Sequence, residues 1–321
     1  MTTDSPQCQQ PPLLVIAGPT ASGKTGLALE LARHFPVEVV SADSRQVYRG
    51  MDIGTAKPSH KEQRQVAHHL IDVVDPDQDF SAADFVQLGR RAVSQIHASG
   101  KLPLLVGGTG LYIQSLTEGL VEAPGRCPQL RSELREREEA DGEGTLYTLL
   151  KEHDPETAGR LQPSDQMRII RALEVFFQSG KPLSVWQQEH SFGDRPYRVR
   201  AIGVAISRDE LNARIDARTL QMMGAGLVEE TRGLLDNGYD PGLKAMQTLG
   251  YRECQQLLAG KSSYEETVAA IQLQTRRYAK RQRTWFRKYG NINWFDNPVD
   301  FAKIASLVDH FLLKSQRSGH G

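Results

Sequence analysis

A chain of 321 residues with 39% apolar content can bury a sizeable core, enough for one large domain or two medium ones. Lysine plus arginine equals aspartate plus glutamate at 39 each, so net charge supplies no global pull toward nucleic acid or a membrane, and any polyanion site must come from local clustering. Cys8, Cys127 and Cys254 are far apart without metal-type spacing, no run approaches about 18 apolar residues, and the first dozen residues lack the basic-then-apolar character of an export leader; disulfide frameworks, membrane insertion and export are disfavoured, and a cytoplasmic protein is expected.

In chain order, the first predicted element is the apolar strand Leu13–Ala17. It runs directly into Gly18, Pro19, Thr20, Ala21, Ser22, Gly23, Lys24 and Thr25, followed by a helix-forming stretch from Gly26. This is a complete phosphate-binding loop: backbone N–H groups turn in around an anion, the helix N-terminus adds positive potential, Lys24 reaches the outer phosphate and the Thr25 hydroxyl suits Mg2+. A ligand carrying a di- or triphosphate is expected. A second strand, Val37–Val40, leads into the polar, glycine-punctuated segment Ser41–Pro58, which in a parallel sheet emerges at the same carboxyl edge. Asp43 then stands beside the phosphates, placed to accept a proton from a nucleophile or to hold magnesium; a solvated loop aspartate is the competing reading from position alone.

Leu70–Val74 reads as a third strand. Ser81 with Asp84 forms a capping box for a helix whose Phe85, Leu88, Ala92, Val93 and Ile96 share one face before Gly100 stops it. A fourth strand, Leu102–Val106, ends in the glycine turn Gly107-Gly108-Thr109-Gly110. From about Glu122 to Arg198 charged helices punctuated by proline replace the strand pattern, then Ala201–Ile206 resumes it. Arg208, Arg214 and Arg218 follow that fifth strand, the last two on one helix face, as candidates to bind a leaving group, with ordinary surface charge as the competing reading. Mainly helical sequence runs to about Tyr289, followed by an Ile292–Phe295 run and a last helix near Phe301–Leu313. The expected fold is α/β, a phosphate-loop parallel sheet flanked by helices with a helical insertion domain, divided as residues 1–121, 122–198 and 199–321.

The long C-terminal helix carries two stripes. Tyr264, Val268, Ile271, Thr275, Tyr278, Gln282, Trp285 and Tyr289 follow helical steps as a core-facing set. Arg276, Lys280, Arg283 and Arg287 follow the same steps on another face, widened by Arg277, Arg281 and Lys288. Seven basic residues without an acidic one, in a neutral chain, read as a contact surface for a phosphate backbone; a solvated helix face is the alternative. His68 and His69 lack any metal-ligand spacing, and no GxSxG elbow is present.

Taken together, GPTASGKT at Gly18–Thr25, SADSRQVYRGMDIGTAKP at Ser41–Pro58, SAADF at Ser81–Phe85, PLLVGGTGLY at Pro103–Tyr112, RALEVFFQSGKPLS at Arg171–Ser184, LGYRE at Leu249–Glu253 and KRQRTWFRK at Lys280–Lys288 resemble the tRNA dimethylallyltransferases, also called tRNA isopentenyltransferases. Their order and spacing cover nearly the whole chain. The resemblance implies that the phosphate loop holds the pyrophosphate of dimethylallyl diphosphate and that the acceptor is the N6 amine of the adenosine 3′ of the anticodon, tRNA position 37. It makes Asp43 the general base, Thr109 a substrate contact, and Asp43, Ser44, Arg45 and Gln46 the segment beside the target base. Met167, Arg168, Ile169, Ile170 and Arg171, with Lys280, Arg281, Gln282, Arg283, Thr284, Trp285, Phe286 and Arg287, would contact the anticodon stem-loop. A monomer using Mg2+ is expected. The residues alone leave two rivals: a small-molecule or nucleotide kinase using the same loop and Asp43, and a nucleotide-switched RNA-binding protein without chemistry.

Overall fold

The computed structural model describes residues 10–190 and 194–317; Cys8 lies outside them. Six strands form one sheet: β1 (Pro12–Ala17), β2 (Val37–Ala42), β3 (His68–His69), β4 (Leu102–Gly107), β5 (Arg198–Ala205) and β6 (Ile292–Asp296). Their spatial order is β3-β2-β4-β1-β5-β6 and every pairing is parallel. The short third strand departs from the sequence expectation. Leu70 and Asp72 adopt left-handed backbone angles, φ 63° and 55°, which interrupt any ladder, so pairing stops at His69 and Val74 makes only an isolated bridge to Tyr48.

Alternation along β1 builds the core on both faces of the sheet. Leu13, Val15 and Ala17 enter one apolar cluster, Leu14 and Ile16 the other, and all five are fully buried. Each large aliphatic side chain of this kind contributes roughly 1.5–3 kcal/mol by leaving water. The sheet register sets Ala17 level with Gly107 and Gly203, and Ala42 level with Gly107, so the chain leaves β1, β2 and β4 at one edge. Going from β1 to β2 the chain passes over β4. That reversal of strand order is where ligands bind in open α/β sheets.

Helices α1 (Lys24–His34), α2 (His60–Gln65), α3 (Ala82–Ala98) and α4 (Gly110–Glu118) lie in the first part of the chain. Ser81 and Asp84 form the expected capping box on α3, and Phe85, Ala92, Val93 and Ile96 are its buried face. The helices α5 (Pro128–Asp141), α6 (Thr145–His153), α7 (Pro155–Arg160), α8 (Gln166–Ser179) and α9 (Leu183–His190) form a second compact unit, Glu118–Arg195, with its own core of Leu134, Leu146, Leu150, Ile169, Ile170 and Leu173. The first unit is completed by α10 (Arg208–Gly224), α11 (Leu227–Asp236), α12 (Tyr251–Leu258), α13 (Tyr264–Lys288) and α14 (Phe301–Arg317). No helix among the described residues is long and apolar enough to cross a membrane.

Candidate functional site

The loop from Gly18 to Gly23 joins β1 to α1 with the conformation an anion cradle needs. Ala21 and Gly23 have φ of 62° and 95°, and no side chain caps α1, so its first N–H groups remain available to a ligand. The Ser22 hydroxyl oxygen is buried without a hydrogen-bond partner. Lys24 folds back to donate to the Pro19 carbonyl at 2.7 Å. Burial lowers its pKa to about 8; the Asp43 carboxylate opposes that shift and the Arg218 guanidinium adds to it. Arg218 comes from α10, and its guanidinium donates to the Thr20 hydroxyl at 3.5 Å. Burial lowers its pKa too, against the pull of Asp43. Arg214 lies beside Gly23 but is bound to Glu210 at 2.7 Å. Arg208, the third candidate of the sequence series, is exposed and does not line the cavity, because the helix turns it away.

Asp43 follows β2 directly. Its carboxylate accepts the Arg45 N–H at 2.9 Å, and Thr109 Oγ1 accepts the Ser44 N–H at 3.0 Å while the Thr109 N–H donates to Ala42 at 3.1 Å. Thr109 therefore stitches the turn after β4 to the Asp43 loop. The Gln46 amide is spent inside its own segment: Oε1 accepts from Ser41 at 2.9 Å and Nε2 donates to the Ala56 carbonyl at 3.2 Å. The glycines after β4 serve close approach. A Cβ at Gly108 would stand 2.2 Å from Gln282 Nε2, and one at Gly110 2.1 Å from Trp285 Cδ1.

A cavity of about 790 Å³ joins these parts. Lys24, Thr25, Asp43, Arg45, Arg218 and Tyr278 line it, together with Gly54–Lys57 and residues from α10, α12 and α13. The Tyr278 phenol is raised to about 12 by burial and by Asp43, with Arg45 and Thr109 pulling the other way.

Several residues of α13 and α8 sit differently from the sequence reading. Tyr264 and Trp285 are 46% and 38% exposed, so the core-facing set is Thr267, Ile271, Ala279, Gln282 and Phe286. Phe286 is buried and has no surface to offer an RNA. Gln282 is a strut: Oε1 accepts the Thr20 N–H at 2.9 Å and Nε2 donates to the Gly108 carbonyl at 2.8 Å, tying the phosphate loop to the turn after β4. Arg276 is engaged by Asp216 at 2.8 Å. Lys280, Arg281, Thr284 and Arg287 are exposed and Arg283 half-buried. On α8, Ile169 and Ile170 belong to the core of the second unit, whereas Met167 and Arg168 project. Arg171 donates to Glu174 at 2.7 Å and to the Pro124 carbonyl at 2.8 Å, so its guanidinium is committed within the protein.

Sequence reasoning missed the Gln282 strut and the placement of Tyr278 in the cavity wall. The signal for the first was a polar residue on a stripe of otherwise core-type positions. The second was read as a core residue because aromatics on an apolar stripe usually are.

The arrangement sets a glycine loop at a helix N-terminus beside a carboxylate at the carboxyl edge of a parallel sheet, a geometry suited to group transfer from a phosphate-bearing donor. A family model described as IPP transferase matches residues 46–289, and the chain belongs to that family. Among its relatives, tRNA dimethylallyltransferase 1 of Syntrophotalea carbinolica is 51% identical over 304 residues, 95% of this chain and 97% of that one. The tRNA dimethylallyltransferase of Geobacter sulfurreducens is 50% identical over 299 residues, 93% and 96% of the two chains. The crystal structure of the tRNA isopentenylpyrophosphate transferase of Bacillus halodurans superposes with a TM-score of 0.71 at 39% identity, covering 97% of this chain and 99% of the other. A eukaryotic dimethylallyltransferase acting on tRNA gives a TM-score of 0.75 at 27% identity over 91% of this chain and 75% of its own.

Proposed function

We propose that this protein transfers the dimethylallyl group of dimethylallyl diphosphate to the N6 amine of adenosine 37 of tRNA, releasing pyrophosphate. The observation that carries this reading is the joint placement of Asp43 and two cations free of ion pairs, Lys24 and Arg218, around one cavity. Transfer breaks the allylic carbon–oxygen bond, forms a carbon–nitrogen bond and frees one N6 proton. The amine is a poor nucleophile because its lone pair is drawn into the ring, so alignment and stabilisation of the departing pyrophosphate must supply most of the acceleration. Lys24, Arg218, the α1 N-terminus and the Ser22 hydroxyl suit the pyrophosphate, and Asp43 suits the proton. A stacked base cannot reach a buried carbon, so the adenosine has to leave the anticodon-loop stack.

The Thr25 hydroxyl, which lines the cavity, would hold Mg2+ together with phosphate oxygens of the ligand. The described residues hold no cluster of three or more His, Cys, Asp or Glu that would make a dedicated protein cage. When bound, the ion would supply charge neutralisation on the leaving group. Action as a monomer is part of the same proposal, and a tRNA substrate supports residence in the cytoplasm. Of the four stripe cations of α13, Lys280 and Arg287 are exposed, Arg283 is half-buried and Arg276 is paired with Asp216, so the first three are the ones offered to an RNA backbone.

The test is to supply unmodified tRNA and magnesium with either dimethylallyl diphosphate or ATP. A five-carbon unit on adenosine, formed only with the allylic donor, is expected. Phosphoryl transfer from ATP without prenylation would overturn the reading in favour of a kinase.

A further inference from the structure

The segment Asp52–Pro58 contains neither helix nor strand, yet it contributes Gly54, Thr55, Ala56, Lys57 and Pro58 to the cavity wall. Its carbonyl side is fastened locally, by Gln46 Nε2 on Thr55 and Ala56 and by the Thr55 hydroxyl on Met51. Lys57 extends the same local framework, reaching the Tyr48 carbonyl and the carboxylates of Asp52 and Asp72. Its N–H side is fastened from a distant part of the chain. The backbone N–H groups of Asp52, Ile53 and Gly54 converge on the Glu230 carboxylate of α11 at 3.1, 2.8 and 3.2 Å.

Tyr251 of α12 completes that carboxylate, its hydroxyl donating to Glu230 Oε1 at 2.5 Å. Burial and the Glu230 charge hold the phenol well above its ordinary pKa, which keeps it a donor. Three N–H groups and one phenol use all the acceptor capacity of a carboxylate. The contact is also shape-specific, since a Cβ at Gly54 would lie 2.4 Å from Tyr251 Cε2. Removing the acceptor strands three consecutive backbone N–H groups, so the conformation of the wall depends on Glu230.

We propose that Glu230, held by Tyr251, is a positioning residue that fixes the Asp52–Pro58 wall and thereby sets affinity for the allylic diphosphate without touching it; this rests on the transfer reading above. The wall shares its cavity with Lys24 and Thr25, and with Asp43, Arg45 and Arg281, whereas the exposed cations Lys280 and Arg287 do not line it. Loosening the wall should therefore weaken the donor and spare the RNA-backbone contacts made outside the cavity.

The experiment compares wild type with Glu230→Gln, Glu230→Asp and Tyr251→Phe. Glu230→Gln should raise KM for dimethylallyl diphosphate about tenfold with kcat within about threefold and tRNA affinity unchanged. Glu230→Asp, which keeps the charge, should recover part of the loss, and Tyr251→Phe should shift KM in the same direction by less. Hydrogen exchange of the peptide spanning residues 50–57 should accelerate in Glu230→Gln while the β1 and β4 peptides stay protected. Unchanged exchange of that peptide, or a loss confined to kcat and tRNA affinity, would overturn the proposal. Exchange is read on the free protein, so absence of prenyl transfer by wild type would count against the transfer reading and leave the exchange result to decide Glu230.

Discussion

Arginines meet carboxylates in both units of the chain, and with opposite results. In the second unit, Glu174 is fully buried and receives Arg131 at 2.7 and 2.8 Å, Arg171 at 2.7 Å and the Cys127 N–H at 2.8 Å. Burial pushes its pKa up, but these donors prevail and hold it at about 2. In the first unit, Lys24 and Arg218 share a cavity with Asp43 without forming an ion pair to it, and burial weakens the hold of both on their protons. The first arrangement is satisfied by the protein itself and so can only organise structure. The second leaves half-buried positive charge without an ion-pair partner, a cost that the negative charge of a ligand would offset. Charge clusters of similar composition thus separate into structure and function by their unmet valences.

The largest expected effect attacks the open arrangement. Asp43→Asn should lower single-turnover transfer by roughly 10²–10⁴ and leave tRNA affinity within a few-fold, because the amide keeps the shape and cannot take the proton. Near-normal rates would remove Asp43 from the chemistry.

The closed arrangement should respond in stability. Glu174→Gln strands two guanidinium groups and should cost about 3 kcal/mol at neutral pH by thermal or denaturant unfolding, with diphosphate affinity unchanged. Since the folded pKa of Glu174 lies below its ordinary 4.5, its contribution is present above 4.5 and is lost as pH falls toward 2. The gap between variant and wild type should close over that window. A gap that persisted at low pH would mean that Glu174 acts through packing alone.

A smaller effect separates the members of the basic stripe on α13. Lys280→Gln or Arg287→Gln should flatten the slope of log K for tRNA against log salt by about 0.7–0.9 each. Arg276→Gln should leave it unchanged, because Asp216 already neutralises that guanidinium. Equal slopes for all three would mean that exposure and pairing in the free protein do not predict the RNA contacts.

Much of this was legible in the sequence. The glycine loop between β1 and α1, the Ser81–Asp84 capping box, and five of the six strand positions announce themselves through turn chemistry and short apolar runs, which are local properties. The failures are non-local. Leu70–Val74 is apolar enough for a strand, and only the left-handed angles at Leu70 and Asp72 end it. Ile169, Ile170 and Phe286 sit in motifs whose neighbours are exposed, and burial is decided by what packs against them. The partners of Gln282, Arg171 and Glu230 are far away in sequence or are backbone groups, to which side-chain pattern is blind.

The most direct test of unmet charge at the cradle is proton uptake on binding pyrophosphate, measured by titration calorimetry in buffers of different ionisation enthalpy. Lys24 has a folded pKa of about 8 in the free protein, and a bound polyanion favours its charged form. Above pH 8 binding by wild type should therefore take up as much as one proton more than binding by Lys24→Met, with a correspondingly steeper fall of affinity with pH, the ionisation of pyrophosphate itself being common to both. Equal proton uptake by wild type and Lys24→Met above pH 8 would contradict the account.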